Sequence, residues 1–396
     1  MDALTRRKFL IGSGVVGGAA LAAGTGAFTL AEILKTASWQ DKPADARTLV
    51  LVTLYGGNDG LATVIPYADP AYHDARPELA YKPEEVPHLD DTLGLNPGMK
   101  GFAGLFKDKR LAIVRGVEYA RPDHSHFRSM DIWQTGSPGS PSTTGWLGRW
   151  LDATGGDPRH AVSFEPVLPV VLAGANTAGA SVPTGPRATT ARPALAGFGH
   201  PAAGEPALQA RAARSFADLV EVDAMINNLP AAKAKPQGTL AIQLDLVARC
   251  VEAGVATRVF SVSLGGFDLH AAEKAAQQRL LTELDTAVTG FVQRMAGTAA
   301  GRKVVVAIYS EFGRRVRANA SEGTDHGTAS DMFVLGTPVR GGFYGAQPSL
   351  TDLDNGDLKF TTDFRDVYAA LLDGVLGTDP GRILAGWKTS LKNLVS

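Results

Sequence analysis

Thr48-Leu49-Val50-Leu51-Val52-Thr53-Leu54, followed by Tyr55-Gly56-Gly57-Asn58-Asp59-Gly60, decides how this chain is read. A continuous apolar, β-branched run of this length predicts a strand covered on both faces. The glycines after it let the backbone turn and come close to a ligand, and Asp59 then projects from the strand end. The same pattern recurs in Leu111 to Val114, Leu168 to Leu172, Arg258 to Leu264, Lys303 to Tyr309 and Asp331 to Leu335, which are the further predicted strands. Helical patterns lie between them: Pro97 to Phe106, Phe127 to Thr135, Leu208 to Ile226, Leu240 to Ala253, Ala271 to Met295 and Asp363 to Leu372. Leu280, Leu284, Val288, Phe291 and Met295 recur at helical spacing, giving one apolar face to lay on a sheet. The alternation predicts a single α/β layered domain over residues 45–396 with a mostly parallel central sheet.

Composition narrows the class. The 396 residues are 44% hydrophobic and 20% charged, with a net charge of −1 and one cysteine, which excludes a disordered tail and a disulfide scaffold. No basic excess is present to attract nucleic acid. Cys250 sits in the pattern Leu244, Val247, Ala248, Val251 and reads as a buried helix position. Thr5-Arg6-Arg7-Lys8-Phe9-Leu10 precedes an apolar Gly/Ala-rich stretch that ends in small residues near Ala22, Ala23 and Ala27. Residues 1–30 therefore read as a twin-arginine export signal, with a basic cluster before a membrane anchor as the alternative, and the expected location is the periplasm. No later segment approaches a membrane span. Gly174 to Glu205, rich in Ala, Gly, Pro and Thr, reads as a surface insertion or lid from which Asn176, Thr184 or His200 could reach a ligand.

Ligands of open α/β sheets bind beyond the carboxyl ends of the strands. Four strand-adjacent loops there carry Asp59, Asp268, His270, Glu311, Asp325 and His326. Mixed carboxylate and imidazole sets suit zinc, manganese or a similar divalent ion, whereas calcium prefers oxygen alone. Each carboxylate taken singly also reads as a helix N-cap. Arg121-Pro122-Asp123-His124-Ser125-His126-Phe127-Arg128 opens a helix. Ser125 is either its cap or an exposed nucleophile at a positive helix end, flanked by His124 and His126 as base or metal ligands. Arg128 and Arg314 could clamp the oxygens of an anionic ester, with Asn58 and His124 as further substrate contacts. A nucleotide cradle at Gly56 to Gly60 lacks the Walker lysine and the dinucleotide spacing.

These motifs together resemble a known family. Leu51 to Leu61, Ser125-His126-Phe127 leading to Trp133-Gln134-Thr135-Gly136, Gly266-Phe267-Asp268-Leu269-His270, Ser310-Glu311-Phe312-Gly313-Arg314 and Thr324-Asp325-His326-Gly327 resemble the domain-of-unknown-function family 1501. Its members look like relatives of the alkaline phosphatase and sulfatase superfamily. The resemblance implies an alkaline-phosphatase-like three-layer sandwich. It also implies that Asp59 stands at the first metal-ligand aspartate, Asp268 and His270 at an aspartate and histidine pair, and His326, beside Asp325, at the last metal-binding histidine. Ser125 matches the nucleophile. One residue separates Asp268 from His270 where phosphatases usually have three, and Phe312 follows Glu311 where those enzymes have a metal-binding histidine. The missing histidine counts against a standard two-zinc site, and one metal, or none, fits what remains, while the hydrolase reading takes one or two divalent ions. The implied function is an exported metal-dependent hydrolase of phosphate or sulfate esters, acting on a small-molecule or glycan anionic ester. The alternative is a catalytically inactive exported binding or assembly protein on the same scaffold, with a protein partner.

Overall fold

The computed structural model describes residues 45–182 and 237–396. The export signal, the helix over Leu208 to Ile226, Thr184, His200 and the insertion beyond Val182 lie outside the described residues. In chain order the strands that matter are β1 (Thr48–Tyr55), β2 (Leu111–Glu118), β3 (Ala161–Ser163), β4 (Ala180–Ser181), β5 (Val259–Gly265), β6 (Val304–Ser310), β7 (Ser330–Leu335), β8 (Gly342–Tyr344) and β9 (Thr362–Asp363). The helices are α1 (Lys100–Lys107), α2 (His126–Thr135), α3 (Trp146–Ala153), α4 (Thr239–Glu252), α5 (Glu273–Ala296) and α6 (Phe364–Gly374). The chain divides into two compact units, residues 45–142, 237–252 and 262–396 in the larger, and 143–182 and 253–261 in the smaller.

In the larger unit the strand order is β8-β2-β7-β6-β1-β5, with β9 beside β2. β1 and β6 are parallel in register from Thr48 opposite Val304 to Leu54 opposite Ser310. β8 and β9 run parallel to β2. The exception is β7, antiparallel to both β6 and β2, so the sheet is mixed but mostly parallel. Every residue of β6 is buried, as is all of β1 except its last. Alternate residues of a strand face opposite sides, so both sheet faces are covered. Phe333 pairs with Ile308 across the β6–β7 ladder and meets Phe102 of α1, ring centroids 5.6 Å apart. Tyr309 points to the other face and stacks on Trp133 of α2 at 5.4 Å, and Trp133 lies 4.8 Å from Phe364 of α6. Helices on two faces of one sheet make the unit a three-layer α/β structure, as expected.

Two details correct the sequence reading. The buried face of α5 runs through Leu281, Leu284, Val288, Val292 and Met295, whereas Leu280 is half-exposed. In the smaller unit, Leu168 to Leu172 is not a strand. Pro169 withholds a ladder donor, and Val170–Leu172 closes as a 3₁₀ turn with Ala173 N–H on Val170 O at 2.8 Å. The strands of that unit are β3 and β4, with β3 pairing in parallel both with β4 and with residues 259–261 of β5. The first residues of the insertion are pinned there: the Asp152 carboxylate accepts from the backbone N–H of Ala175 and Thr177 at 2.6 and 2.8 Å. Cys250 is buried on α4 as expected. No helix among the described residues is long and apolar enough to cross a membrane.

Candidate metal centre

The site lies wholly in the larger unit. Because β1 and β6 are parallel, Tyr55 and Ser310 end at the same sheet edge. The antiparallel β7 starts where its neighbours end, so Asp325 and His326, just ahead of it, reach that edge from the opposite chain direction. Gly56 and Gly57 have φ of +118° and +70°. A Cβ on Gly56 would lie 2.5 Å from the Asp268 nitrogen, and one on Gly57 would lie 2.3 Å from the Phe312 ring. The two glycines thus admit the Phe267–Asp268 backbone and an aromatic ring, which builds the site's wall.

Three imidazoles converge on one carboxylate oxygen. Asp268 Oδ1 is 2.9 Å from His270 Nε2, 3.2 Å from His326 Nε2 and 3.4 Å from His126 Nε2. One ligand atom from each of His126, Asp268 and His326 falls within 4.8 Å of the other two. The opposite ring nitrogens are tied elsewhere. His126 Nδ1 is 2.8 Å from Glu311 Oε1 and His326 Nδ1 is 2.8 Å from the His124 carbonyl. Both partners only accept, so each Nδ1 carries its hydrogen and each Nε2 presents a lone pair. His270 Nδ1 faces Asp325 Oδ1 at 3.6 Å. His126 Nε2 is buried and makes no hydrogen bond. Burial disfavours the Asp268 carboxylate, but the hydrogen bond and charge of Arg314 outweigh it and hold the group well below the usual range. The Glu311 hydrogen bond raises the His126 pKa, whereas burial lowers that of His326.

The remaining expected residues take different places. Glu311 is buried behind His126, and its carboxylate also accepts from Gly56 N–H at 2.9 Å and Ser310 Oγ at 3.0 Å. It orients a donor imidazole. Arg314 is buried and donates to the carbonyls of Gly57, Phe267 and Thr324 at 2.7, 3.0 and 3.0 Å, to Gly56 O, and to Asp268 Oδ1 at 2.9 Å. It ties three loops of the site together. Asp59 is buried, accepts from Leu61 N–H at 3.1 Å as the cap of a one-turn helix, and pairs with Arg76. Burial opposes its charge, and Arg76 more than compensates. Asn58 is buried too, with Oδ1 2.8 Å from Gln277 Nε2. Neither Asp59 nor Asn58 belongs to the histidine cluster. Ser125 is exposed at the start of α2 with no side-chain capping bond, its own N–H resting on Asp123 Oδ1 at 2.8 Å. Arg128 pairs with Asp131 at 2.5 Å, His124 Nε2 with Asp357 Oδ2 at 3.0 Å, and Asp325 accepts from Asn319 Nδ2 at 3.1 Å. Phe312 is buried against the rings of His126 and His326, centroids 4.8 and 4.9 Å away. Arg76, which closes off Asp59, stands in no motif, and its role had no local signal in the sequence.

The His126 and His326 nitrogens and the Asp268 carboxylate oxygen are a donor set that fits a zinc-like or manganese-like divalent ion, with His270 Nε2 2.9 Å from that oxygen. The unpartnered His126 Nε2 is the atom that such an ion would satisfy.

The family described as protein of unknown function DUF1501 matches residues 208–395, a span holding the motifs at Gly266–His270, Ser310–Arg314 and Thr324–Gly327. Among curated proteins nothing matches this chain. Similar solved structures include a protein in the alkaline phosphatase superfamily from Vibrio parahaemolyticus, at 9% identity and TM-score 0.42, covering 90% of this chain and 76% of that one. Another is murine ectonucleotide pyrophosphatase/phosphodiesterase 5, inactive and in complex with AMP, at 9% identity and TM-score 0.43, covering 89% and 100%. A third is a lipoteichoic acid synthase from Listeria monocytogenes, at 10% identity and TM-score 0.38, covering 91% and 81%.

Proposed function

We propose that this chain is an exported, metal-dependent hydrolase of phosphate or sulfate esters. The observation that carries the reading is the convergence of His126, His270 and His326 Nε2 on Asp268 Oδ1. These four residues would hold the ion. Bound there, it would act as a Lewis acid and screen charge on the transferring group. Ser125 offers a hydroxyl free of capping duty at an end of α2 where backbone N–H groups point outward. In this reading its oxygen attacks phosphorus or sulfur in line as the bond to the ester oxygen breaks, its proton passes to the departing alkoxide to give the alcohol, and water then hydrolyses the Ser125 ester to release phosphate or sulfate. Glu311 and the His124 carbonyl hold two of the imidazoles in the donor tautomer, and Arg314 fixes Asp268.

A scaffold without turnover is favoured by one observation: Phe312 and the closed Asp59–Arg76 pair occupy the places where a second ion's ligands are expected. The two readings separate experimentally. The mature protein, purified without chelator or affinity metal, is analysed for bound elements and then assayed on aryl phosphate and aryl sulfate with added zinc or manganese. The hydrolase reading expects near-stoichiometric metal and turnover lost in Ser125→Ala. A metal-free protein with no release above that variant overturns it. Export is tested by fractionating cells carrying the native chain and a variant with Arg6 and Arg7 replaced by Lys. Retention of only the variant in the cytoplasm supports the twin-arginine route.

A further inference from the structure

A cavity of about 570 Å³ lies beside the histidine cluster, within the size range of small-molecule sites. His124 belongs to both. Its ring lines the cavity and meets Asp357, while its carbonyl accepts from His326 Nδ1. The buried wall is carboxylic. Glu118, 1% exposed, accepts from Tyr119 N–H at 3.1 Å and keeps Oε2 buried without a hydrogen bond, and burial drives its carboxyl well above the usual range. Asp357, 5% exposed, keeps Oδ1 buried without a hydrogen bond, with Arg315 Nε at 3.8 Å.

The rim carries Arg121, Arg315 and Lys359 beside the exposed Asp354. Lys359 is engaged by Asp352, but Arg121 makes no hydrogen bond or ion pair among the described residues and is exposed. Its backbone is left-handed, with φ of 61°, immediately before Pro122. A non-glycine residue held in that region marks a position the surrounding fold dictates. Phe360, 39% exposed, adds an apolar face. An apolar ligand would leave Asp357 Oδ1 unpartnered. A bare phosphate can donate a P–OH hydrogen to that oxygen but has no apolar face to lay on Phe360.

We propose that the cavity binds a hydroxyl-rich, anionic organic group of the sugar-acid type, as the non-reacting part of the ester. Its hydroxyls would bond Glu118 and Asp357, its carboxylate would pair with Arg121, and one ring face would lie on Phe360. The proposal rests on the ester-hydrolase reading, since it names the substrate class of that site. The test titrates D-glucuronate and uncharged D-glucose into the full chain, with binding read by saturation-transfer NMR and calorimetry. Arg121→Asn removes the charge with a residue that tolerates the left-handed backbone, and Phe360→Ala alters an exposed side chain. Saturable glucuronate binding is expected. Arg121→Asn should weaken it about tenfold, the loss of one charge-assisted bond, without changing the response to glucose, and Phe360→Ala should weaken both ligands. Absence of saturable glucuronate binding, or binding that Arg121→Asn leaves unchanged, overturns the assignment. Aryl-ester turnover measured in parallel keeps the two readings apart. Turnover without glucuronate binding overturns the cavity assignment alone; charge-dependent binding without turnover upholds the cavity as a binding site and removes the hydrolase.

Discussion

His270 Nε2 and His326 Nε2 lie 3.0 Å apart, and both atoms also reach Asp268 Oδ1. Without an ion, two imidazole lone pairs this close need a proton between them; a divalent ion at the cluster takes the proton's place and bonds both nitrogens. His326→Ala is therefore expected to abolish near-stoichiometric metal uptake, since His326 reaches both His270 and Asp268. His270→Ala leaves the His126, Asp268 and His326 set and should weaken uptake without abolishing it. Elemental analysis of the two variants against the native chain checks this order, and unchanged metal content in both would remove the cluster as a metal site.

Glu311 acts through His126. Its carboxylate takes the imidazole Nδ1–H and the Gly56 N–H on one oxygen, fixing ring orientation from behind. Removing such a supporting carboxylate typically lowers metal affinity about 10–100-fold. Glu311→Ala should do so in a chelator-competition titration, with Glu311→Gln intermediate because it still offers an acceptor. A Glu311→Ala chain of unchanged affinity would return Glu311 to a purely structural role.

The ends of β1, β5 and β6, the glycines after them and the Asp and His residues of the adjacent loops were legible in the sequence, because continuous apolar runs and loop chemistry are local signals. The division of labour among the acids was not. Asp59 and Asp268 look alike as aspartates near strand ends, yet Asp59 is closed by Arg76 and Asp268 is held open by Arg314. Both arginines act over long sequence distances. Leu168 to Leu172 misled because its apolar character outweighed Pro169, whose missing N–H decides the local structure.

Arg314 replaces water for several backbone carbonyls at once. Lysine carries the charge but lacks the planar fork that reaches Gly57, Phe267, Thr324 and Asp268 together. Arg314→Lys is expected to cost about 2–3 kcal/mol of stability, the scale of losing hydrogen bonds between a charged donor and buried carbonyls. It should also weaken metal binding, as Asp268 loses its anchor. Denaturant unfolding and the same competition titration measure the two effects separately.

Glu273 supplies the pH prediction. Burial, reinforced by the neighbouring Asp59 charge, raises its carboxyl well above the ordinary value of 4.5, and Thr324 donates to it at 2.6 Å. The folded chain thus keeps a proton that the unfolded chain releases above about 4.5. A state that binds more protons when folded loses stability as pH rises, so this contribution is full below the unfolded value and fades through neutral pH toward the raised folded one. Glu273→Gln keeps a neutral side chain of the same shape at every pH. Between pH 5 and about 8 the native Tm should fall more steeply than that of the variant. Parallel curves would mean that Glu273 is ionised in the folded chain, with Arg76 serving both carboxylates.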